Sequence, residues 1–184
     1  MRNRKQTGWT LIELLVVVVL AVVMLIATVF NFASVLKKSK LESHIESLAA
    51  SIKMSRTMAM SEGERAIIAV VDAGQPAQDL GDGRSLHYLA FLDQNKNNVY
   101  DNGERVLDRG DWGTISVEEN SLPFDYNLGL VQAHYFLFMP QGTAPMPPDL
   151  TEDPEVRITY AGYDPEYRLS IISYLGAVEV VRVK

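Results

Sequence analysis

The stretch that decides the architecture of this chain is residues 14–36, LLVVVVLAVVMLIATVFNFASVL. It holds 23 residues without a single charge, most of them Val, Leu, Ala and Ile. A helix needs about 20 such residues to cross a bilayer core roughly 30 Å thick. The stretch is longer than the apolar part of a cleaved secretory signal, which spans about 7–15 residues. We therefore predict a membrane-spanning helix.

Basic residues flank both ends of this stretch, and on these counts the positive-inside rule is nearly balanced. They are Arg2, Arg4 and Lys5 on one side, and Lys37, Lys38 and Lys40 on the other. Charge alone therefore does not orient the helix in a membrane.

The junction before the apolar stretch reads Thr7-Gly8-Trp9-Thr10-Leu11-Ile12-Glu13. It resembles the class III signal of type IV prepilins and pseudopilins, in which a short basic leader ends in Gly and Thr-Leu-Ile-Glu opens a long apolar helix. Trp9 stands where Phe is commoner, and the helix lacks the proline that many major pilins carry. The resemblance implies that a prepilin peptidase cuts between Gly8 and Trp9 and methylates Trp9. It also implies a single-pass protein of the inner membrane whose C-terminal domain lies in the periplasm.

Glu13 is the one ionisable side chain in the first turns of the apolar helix. Charged groups inside a bilayer are costly, so such residues are functional candidates. The resemblance implies that Glu13 is an assembly residue, whose carboxylate pairs with the cationic N-terminus of a neighbouring subunit. The alternative is that Glu13 lies near the interface and extends its carboxylate into water.

The helix is predicted to continue through residues 37–62. Apolar residues recur there at spacings of three, four or seven and form one stripe, Leu41, Ile45, Leu48, Ile52 and Ala59. Neither Gly nor Pro interrupts residues 9–62, and Gly63 is a helix terminator. At 1.5 Å per residue these ~54 residues make a helix of roughly 80 Å. Because strand-like sequence follows at once, we expect the stripe to pack on a soluble domain and not in a free coiled coil.

After residue 63 the apolar period changes to that of strands separated by turn formers. The predicted strands are Ala66–Val71, Leu86–Leu92, Arg105–Leu107, Thr114–Val117, Tyr135–Met139, Val156–Tyr160, Arg168–Ile172 and Val178–Val183, with a turn at Ala161–Pro165. The predicted fold is α+β, a long N-terminal helix packed on an antiparallel β-rich C-terminal domain. The predicted divisions are a cleaved leader (1–8), a transmembrane helix half (9–36), an amphipathic periplasmic helix half (37–62) and a periplasmic β-rich domain (63–184).

This order of elements is similar to that of GspH/FimT-type minor pseudopilins. Similar too are Phe91-Leu92-Asp93 before a polar loop ending Gly103-Glu104, the run Phe138–Gly142, and the closing unit Ser170–Gly176. The resemblance implies a structural filament subunit. Its partners would be other pilins or pseudopilins, the prepilin peptidase, an inner-membrane assembly platform and membrane lipid.

One loop has the ligand spacing of an EF-hand calcium site. Oxygen-bearing side chains stand at relative positions 1, 3, 5, 9 and 12, namely Asp93, Asn95, Asn97, Asp101 and Glu104. The alternative is a β-hairpin connection that uses Asn, Asp and Gly because turns require them. We expect no cofactor, with calcium at this loop as the open alternative.

Composition argues against other functional classes. The chain has no cysteine, which excludes disulfides, thiol catalysis and cysteine-ligated metals. Removal of residues 1–8 leaves 14 basic against 23 acidic residues, a net charge of −9, which disfavours nucleic-acid binding. The histidines His44, His87 and His134 stand singly and are predicted to be surface or partly packed side chains. No catalytic motif occurs, so we predict a protein that is not an enzyme.

The leading hypothesis is a minor pseudopilin of a type II secretion system, which assembles into a periplasmic pseudopilus through its N-terminal helix. The alternative is a minor subunit of a type IV pilus that primes assembly or caps the tip. A DNA-uptake pilin is a third hypothesis, disfavoured by the acidic mature chain.

Overall fold

The computed structural model describes residues 10–148, 153–160, 163–172 and 176–183, and for 27–33 and 163–165 it describes the backbone alone. The chain divides into two compact units, the first ending at Lys38 and the second beginning at Ser39.

A single helix, α1, runs from Leu11 to Glu62 over 52 residues. It ends where the sequence predicts, because Gly63 adopts φ 71° and donates its N–H to the carbonyl of Ala59 at 3.1 Å. A left-handed residue of this kind costs little only for glycine, which makes it a common helix stop.

The second part of α1 buries its predicted apolar stripe. Its members are exposed by at most 2% and belong to the same core as the strands: Leu41, Ile45, Leu48, Ile52 and Ala59. Each large aliphatic side chain buried in this way contributes about 1.5–3 kcal/mol. The amphipathic interpretation of this segment is therefore confirmed.

Eleven strands follow the helix. They are β1 (Arg65–Val71), β2 (Gln78–Asp79), β3 (Ser85–Leu86), β4 (Tyr88–Asp93), β5 (Val106–Gly110), β6 (Ile115–Asn120), β7 (Phe124–Asp125), β8 (Ala133–Phe138), β9 (Glu155–Tyr160), β10 (Tyr163–Ile171) and β11 (Val178–Arg182). They form a five-stranded sheet in the order β5-β4-β1-β8-β7, a four-stranded sheet in the order β11-β10-β9-β6, and the pair β2-β3. Every pairing is antiparallel. The predicted α+β class, a helix followed by an antiparallel β-domain, is confirmed.

The central strand of the larger sheet is β1. Its residue Ile67 lies opposite Phe91 of β4 on one side and Leu137 of β8 on the other. All of β1 after Arg65 is buried, which explains why it reads as a continuous apolar run and not as an alternating one.

The structure corrects three details of the strand prediction. The predicted strand Leu86–Leu92 is divided at His87, because Leu86 ends β3, which pairs with β2, whereas β4 begins at Tyr88 and belongs to the five-stranded sheet. The predicted turn at 161–165 falls partly outside the described residues, and β10 already begins at Tyr163. The strands β2 and β7 were not predicted, and β3 was not separated from β4, since two residues are too few for a periodic signal.

Candidate functional site

The start of α1 is held by a reciprocal contact between Thr10 and Glu13. The backbone N–H and the hydroxyl of Thr10 donate to Glu13 Oε2 at 2.9 and 3.1 Å, and the N–H of Glu13 lies 3.3 Å from Thr10 Oγ1. This is a capping box, which satisfies backbone donors that the first turn leaves unpaired.

The sequence analysis missed this contact, although its signal was present. Thr10 and Glu13 have the spacing of the capping-box motif and stand directly before an apolar run. The carboxylate of Glu13 therefore has a structural role within its own chain. Any role in assembly must use the carboxylate's remaining hydrogen-bonding capacity or replace this contact.

Around Glu13 the helix presents apolar side chains to the outside. Leu11, Leu14 and Leu20 are at least 55% exposed, and the other large apolar side chains described between residues 11 and 26 are exposed too. Glu13 lines a shallow groove of about 250 Å³ together with Ile12, Val16 and Val17. An exposed apolar surface of this extent marks a surface for interaction with apolar partners.

Other predicted features of this region fall outside the described residues. Gly8 and Trp9, the predicted processing site, lie there, as do the side chains of residues 27–33 within the predicted membrane segment. No helix in the described part of the chain combines the length and hydropathy that crossing a membrane requires.

A polar cluster links the second part of α1 to the larger sheet. Tyr88 Oη donates to Asp108 Oδ2 at 2.9 Å and lies 3.4 Å from the hydroxyl of Ser51, and Ser51 also donates to Asp108. Burial is the main cause that raises the pKa of Tyr88, so the phenol stays protonated. The cluster satisfies polar groups between helix and sheet, and so has a structural role.

The predicted calcium loop connects two strands. It follows β4 and precedes β5, and these strands pair in antiparallel fashion, so the backbone forms a hairpin and not a helix–loop–helix unit. Lys96 and Asn98 have positive φ of 65° and 66°, and Gly103 has 112°. The hairpin interpretation of the backbone is therefore confirmed.

The acidic side chains of this loop already have donors. Asp93 is fully buried and accepts from Arg65 Nη2 and from the N–H of Asn97 at 3.1 Å. Glu104 Oε1 accepts the N–H of Gln94 at 2.9 Å, and its Oε2 accepts that of Asp101 at 3.1 Å.

The two predicted asparagine ligands meet at the remaining acid. Asp101 Oδ2 accepts from the side-chain amides of Asn95 and Asn97 at 2.5 and 2.7 Å. Within the described ranges, no three Asp, Glu, His or Cys side chains gather closely enough to hold a metal ion. Calcium binding by the five predicted residues stays an open alternative.

We expect calcium to leave the thermal stability of the full chain in detergent unchanged, because the loop carboxylates already have protein donors. A site with a Kd of ~10 μM in ~1 mM calcium would instead add about 2.7 kcal/mol, which a thermal melt would detect readily. The matched control is Asp101→Asn. A calcium-dependent rise in Tm that this substitution abolishes would contradict our expectation and establish the metal site.

One of the three histidines, His87, differs from its prediction as a surface or partly packed side chain. His87 is a buried residue, 3% exposed, stacked on Trp112 with ring centroids 5.4 Å apart. Its Nδ1 accepts the N–H of Trp112 at 3.0 Å. Burial lowers the pKa of His87, although the nearby carboxylate of Asp111 acts in the opposite direction. His87 is therefore a neutral packing residue that anchors the chain after β5.

His134 joins three segments of the larger sheet. Its Nδ1 lies 2.5 Å from Asp72 Oδ1, and its Nε2 lies 3.0 Å from Asp125 Oδ1. Asp125 is its pairing partner on β7. The ring thus ties the short edge strand β7 and the end of β1 to β8, which makes it a structural residue.

Comparison with known proteins gave few matches. No protein-family model and no curated protein matches the chain. Two crystal structures of the type IV minor pilin FimU of Pseudomonas aeruginosa, in different space groups, align with 78% and 77% of this chain. The alignments cover 90% and 92% of those chains, at 17% and 19% sequence identity, each with a TM-score of 0.47.

Proposed function

We propose that this chain is a structural filament subunit of the minor pilin or pseudopilin kind. The observation that carries the proposal is the contrast between the two parts of α1. The described apolar side chains from Leu11 to Ile26 are exposed, whereas the apolar stripe from Leu41 to Ala59 is buried in the core of the β-domain. A helix of this kind has one segment engaged with its own domain and another available to partners.

The start of the helix supplies the second support. Glu13 stands at the head of the apolar segment, where a charge is costly unless it is paired. Pairing with the cationic N-terminus of a neighbouring subunit would neutralise two charges and define the register between adjacent helices. The proposal assigns Glu13 this role in assembly.

Processing and location belong to the same proposal. The prepilin-like junction supports cleavage between Gly8 and Trp9 and methylation of Trp9. The uncharged run of 23 residues from Leu14 to Leu36 supports insertion into the inner membrane, with the β-domain in the periplasm. Prepilin peptidase, an assembly platform, lipid and other pilin-like subunits would be the partners.

Between the candidate systems, we favour a type II secretion pseudopilus. The support is the absence of a helix proline and the similarity of the C-terminal half to GspH/FimT-type sequences. A minor subunit of a type IV pilus is the alternative. The acidic mature chain disfavours nucleic acid as a partner, and the proposed role is structural, without catalysis.

Deletion of the gene tests the assignment to a system. We expect protein secretion to fail while twitching motility and natural transformation persist, with secretion restored by the wild-type gene supplied in trans. Loss of motility or transformation with intact secretion would overturn the secretion assignment in favour of a pilus.

A further inference from the structure

Four strands form the ends of the two larger sheets in the described part of the chain: β5, β7, β6 and β11. An edge strand presents unpaired N–H and C=O groups and can template the addition of another strand. Natural sheets usually prevent this with short strands, bulges or covering segments. The four ends differ sharply in such protection.

Three ends are protected. The strand β7 has only two residues. The pairing of β5 is interrupted by a bulge beside Ala90 and Phe91, and that of β6 by one between Val117 and Glu119. The edge of β6 is also covered, because the N–H of Gly74 donates to the carbonyl of Val117 at 2.9 Å.

The fourth end, β11, has five residues and no bulge in its pairing. It pairs with β10 in uninterrupted register, from Tyr167 opposite Arg182 to Ile171 opposite Val178. Three of its five residues are valine, a residue favoured in strands. It is therefore the sheet end best suited to strand addition.

The direction of its backbone groups follows from two flanking hydrogen bonds. The N–H of Val183 donates to the carbonyl of Glu166, and the carbonyl of Ala177 accepts from Ile172, both at 2.9 Å. Odd-numbered residues of this strand therefore face β10. Because the direction alternates along an antiparallel strand, the N–H and C=O groups of Val178 and Val180 face the open edge.

Three exposed apolar side chains lie on or beside this edge. Val180 is 37% exposed, Val183 40% and Ile172 46%. Such side chains at the end of a sheet gain stability when a further strand covers them.

We infer that β11 pairs in antiparallel fashion with β11 of a second copy of this chain, about a two-fold axis at Val180. The edge is self-complementary in this register, because Val180 lies opposite Val180 of the other copy and the edge-facing residues are spaced evenly about it. The register places Val178 opposite Arg182 and Glu179 opposite Val181, so no charged residue directly faces a like charge. A contact of this kind is isologous and closes as a dimer.

A single cysteine substitution tests this register by disulfide formation, since the natural chain has no cysteine. In a hydrogen-bonded antiparallel pair the two Cα atoms lie about 5.5 Å apart, within the range of about 4.4–6.8 Å that a disulfide accepts. We expect Val180→Cys in the full chain, in detergent micelles under mild oxidation, to form a disulfide-linked dimer. The matched control is Val183→Cys, whose two copies would lie roughly 20 Å apart at 3.3 Å per residue. The expected rate ratio is at least tenfold.

A second variant tests the backbone contact without a new cross-link. Val180→Pro removes an N–H that faces the edge and leaves the bonds to β10 intact, so the fold is retained. We expect sedimentation to show loss of the β11 dimer for Val180→Pro and its retention for Val180→Thr. Equal cross-linking of the two cysteine variants, or dimerisation of Val180→Pro like wild type, would overturn the inference. Neither result would affect the proposed filament role, which uses the helix and Glu13.

Discussion

Filament incorporation of the Glu13→Ala subunit is expected to fall at least tenfold below wild type. The expectation rests on the proposed pairing of this carboxylate with the N-terminus of a neighbour, within an apolar surface where an unpaired charge is costly. Sheared or overproduced filaments, quantified by immunoblotting against the membrane-bound pool, provide the measurement.

The capping box makes a sharper version of this experiment possible. Glutamine also functions at the third position of a capping box, so Glu13→Gln keeps the contact with Thr10 and removes the charge. Thr10→Ser keeps both the capping contact and the charge of Glu13, and it is the matched control. If the charge drives assembly, Glu13→Gln fails like Glu13→Ala while Thr10→Ser assembles. Assembly of Glu13→Gln at the wild-type level would restrict Glu13 to its intrachain role.

The second large effect is expected for Leu48→Ala, which should lower the free energy of unfolding. Leu48 lies in the buried stripe of α1 and is fully buried, so its truncation leaves a cavity between the helix and the β-domain. Such changes cost about 2–5 kcal/mol, and each kcal/mol lowers Tm by about 2–4 °C in a chain of this size.

Urea unfolding followed by tryptophan fluorescence measures this loss. Trp112 is a buried reporter, and a Trp9→Phe background removes the only other tryptophan. The control is Met54→Ala on the same helix, a side chain that is 38% exposed and is expected to cost less than 1 kcal/mol. Equal shifts in the two variants would show that the stripe does not anchor the helix.

The sequence predictions were correct where a feature depends on neighbouring residues, and they failed where it depends on residues far away in the chain. The end of α1 at Glu62 was predicted because Gly63 is a local stop, and the burial of Leu41 to Ala59 because a helix repeats every 3.6 residues. The prediction for His87 was wrong, since nothing near it in the sequence indicates that Trp112, 25 residues later, stacks on its ring. Its burial is a long-range contact.

The β-loop from Asp93 to Glu104 shows the same limit. Its spacing predicted where oxygen atoms stand along the chain, and both a hairpin connection and a calcium site were compatible with that spacing. The structure resolved the backbone as a hairpin by pairing β4 with β5. It also placed Arg65 of β1, far away in sequence but directly opposite Asp93 in the sheet, on the carboxylate of Asp93.

Residues 10–62 and the strand-forming runs after them were determined by the sequence itself, because capping, helix period and β-branched composition act over a few neighbouring residues. Tertiary structure alone decided the strand order of the two sheets, the bonding of His134 to two aspartates, and the position of β11 at the end of its sheet. These features depend on which distant segments meet. Pairing of that kind is set by the burial of the whole core and the entropy of closing long loops, and no short window of sequence carries it.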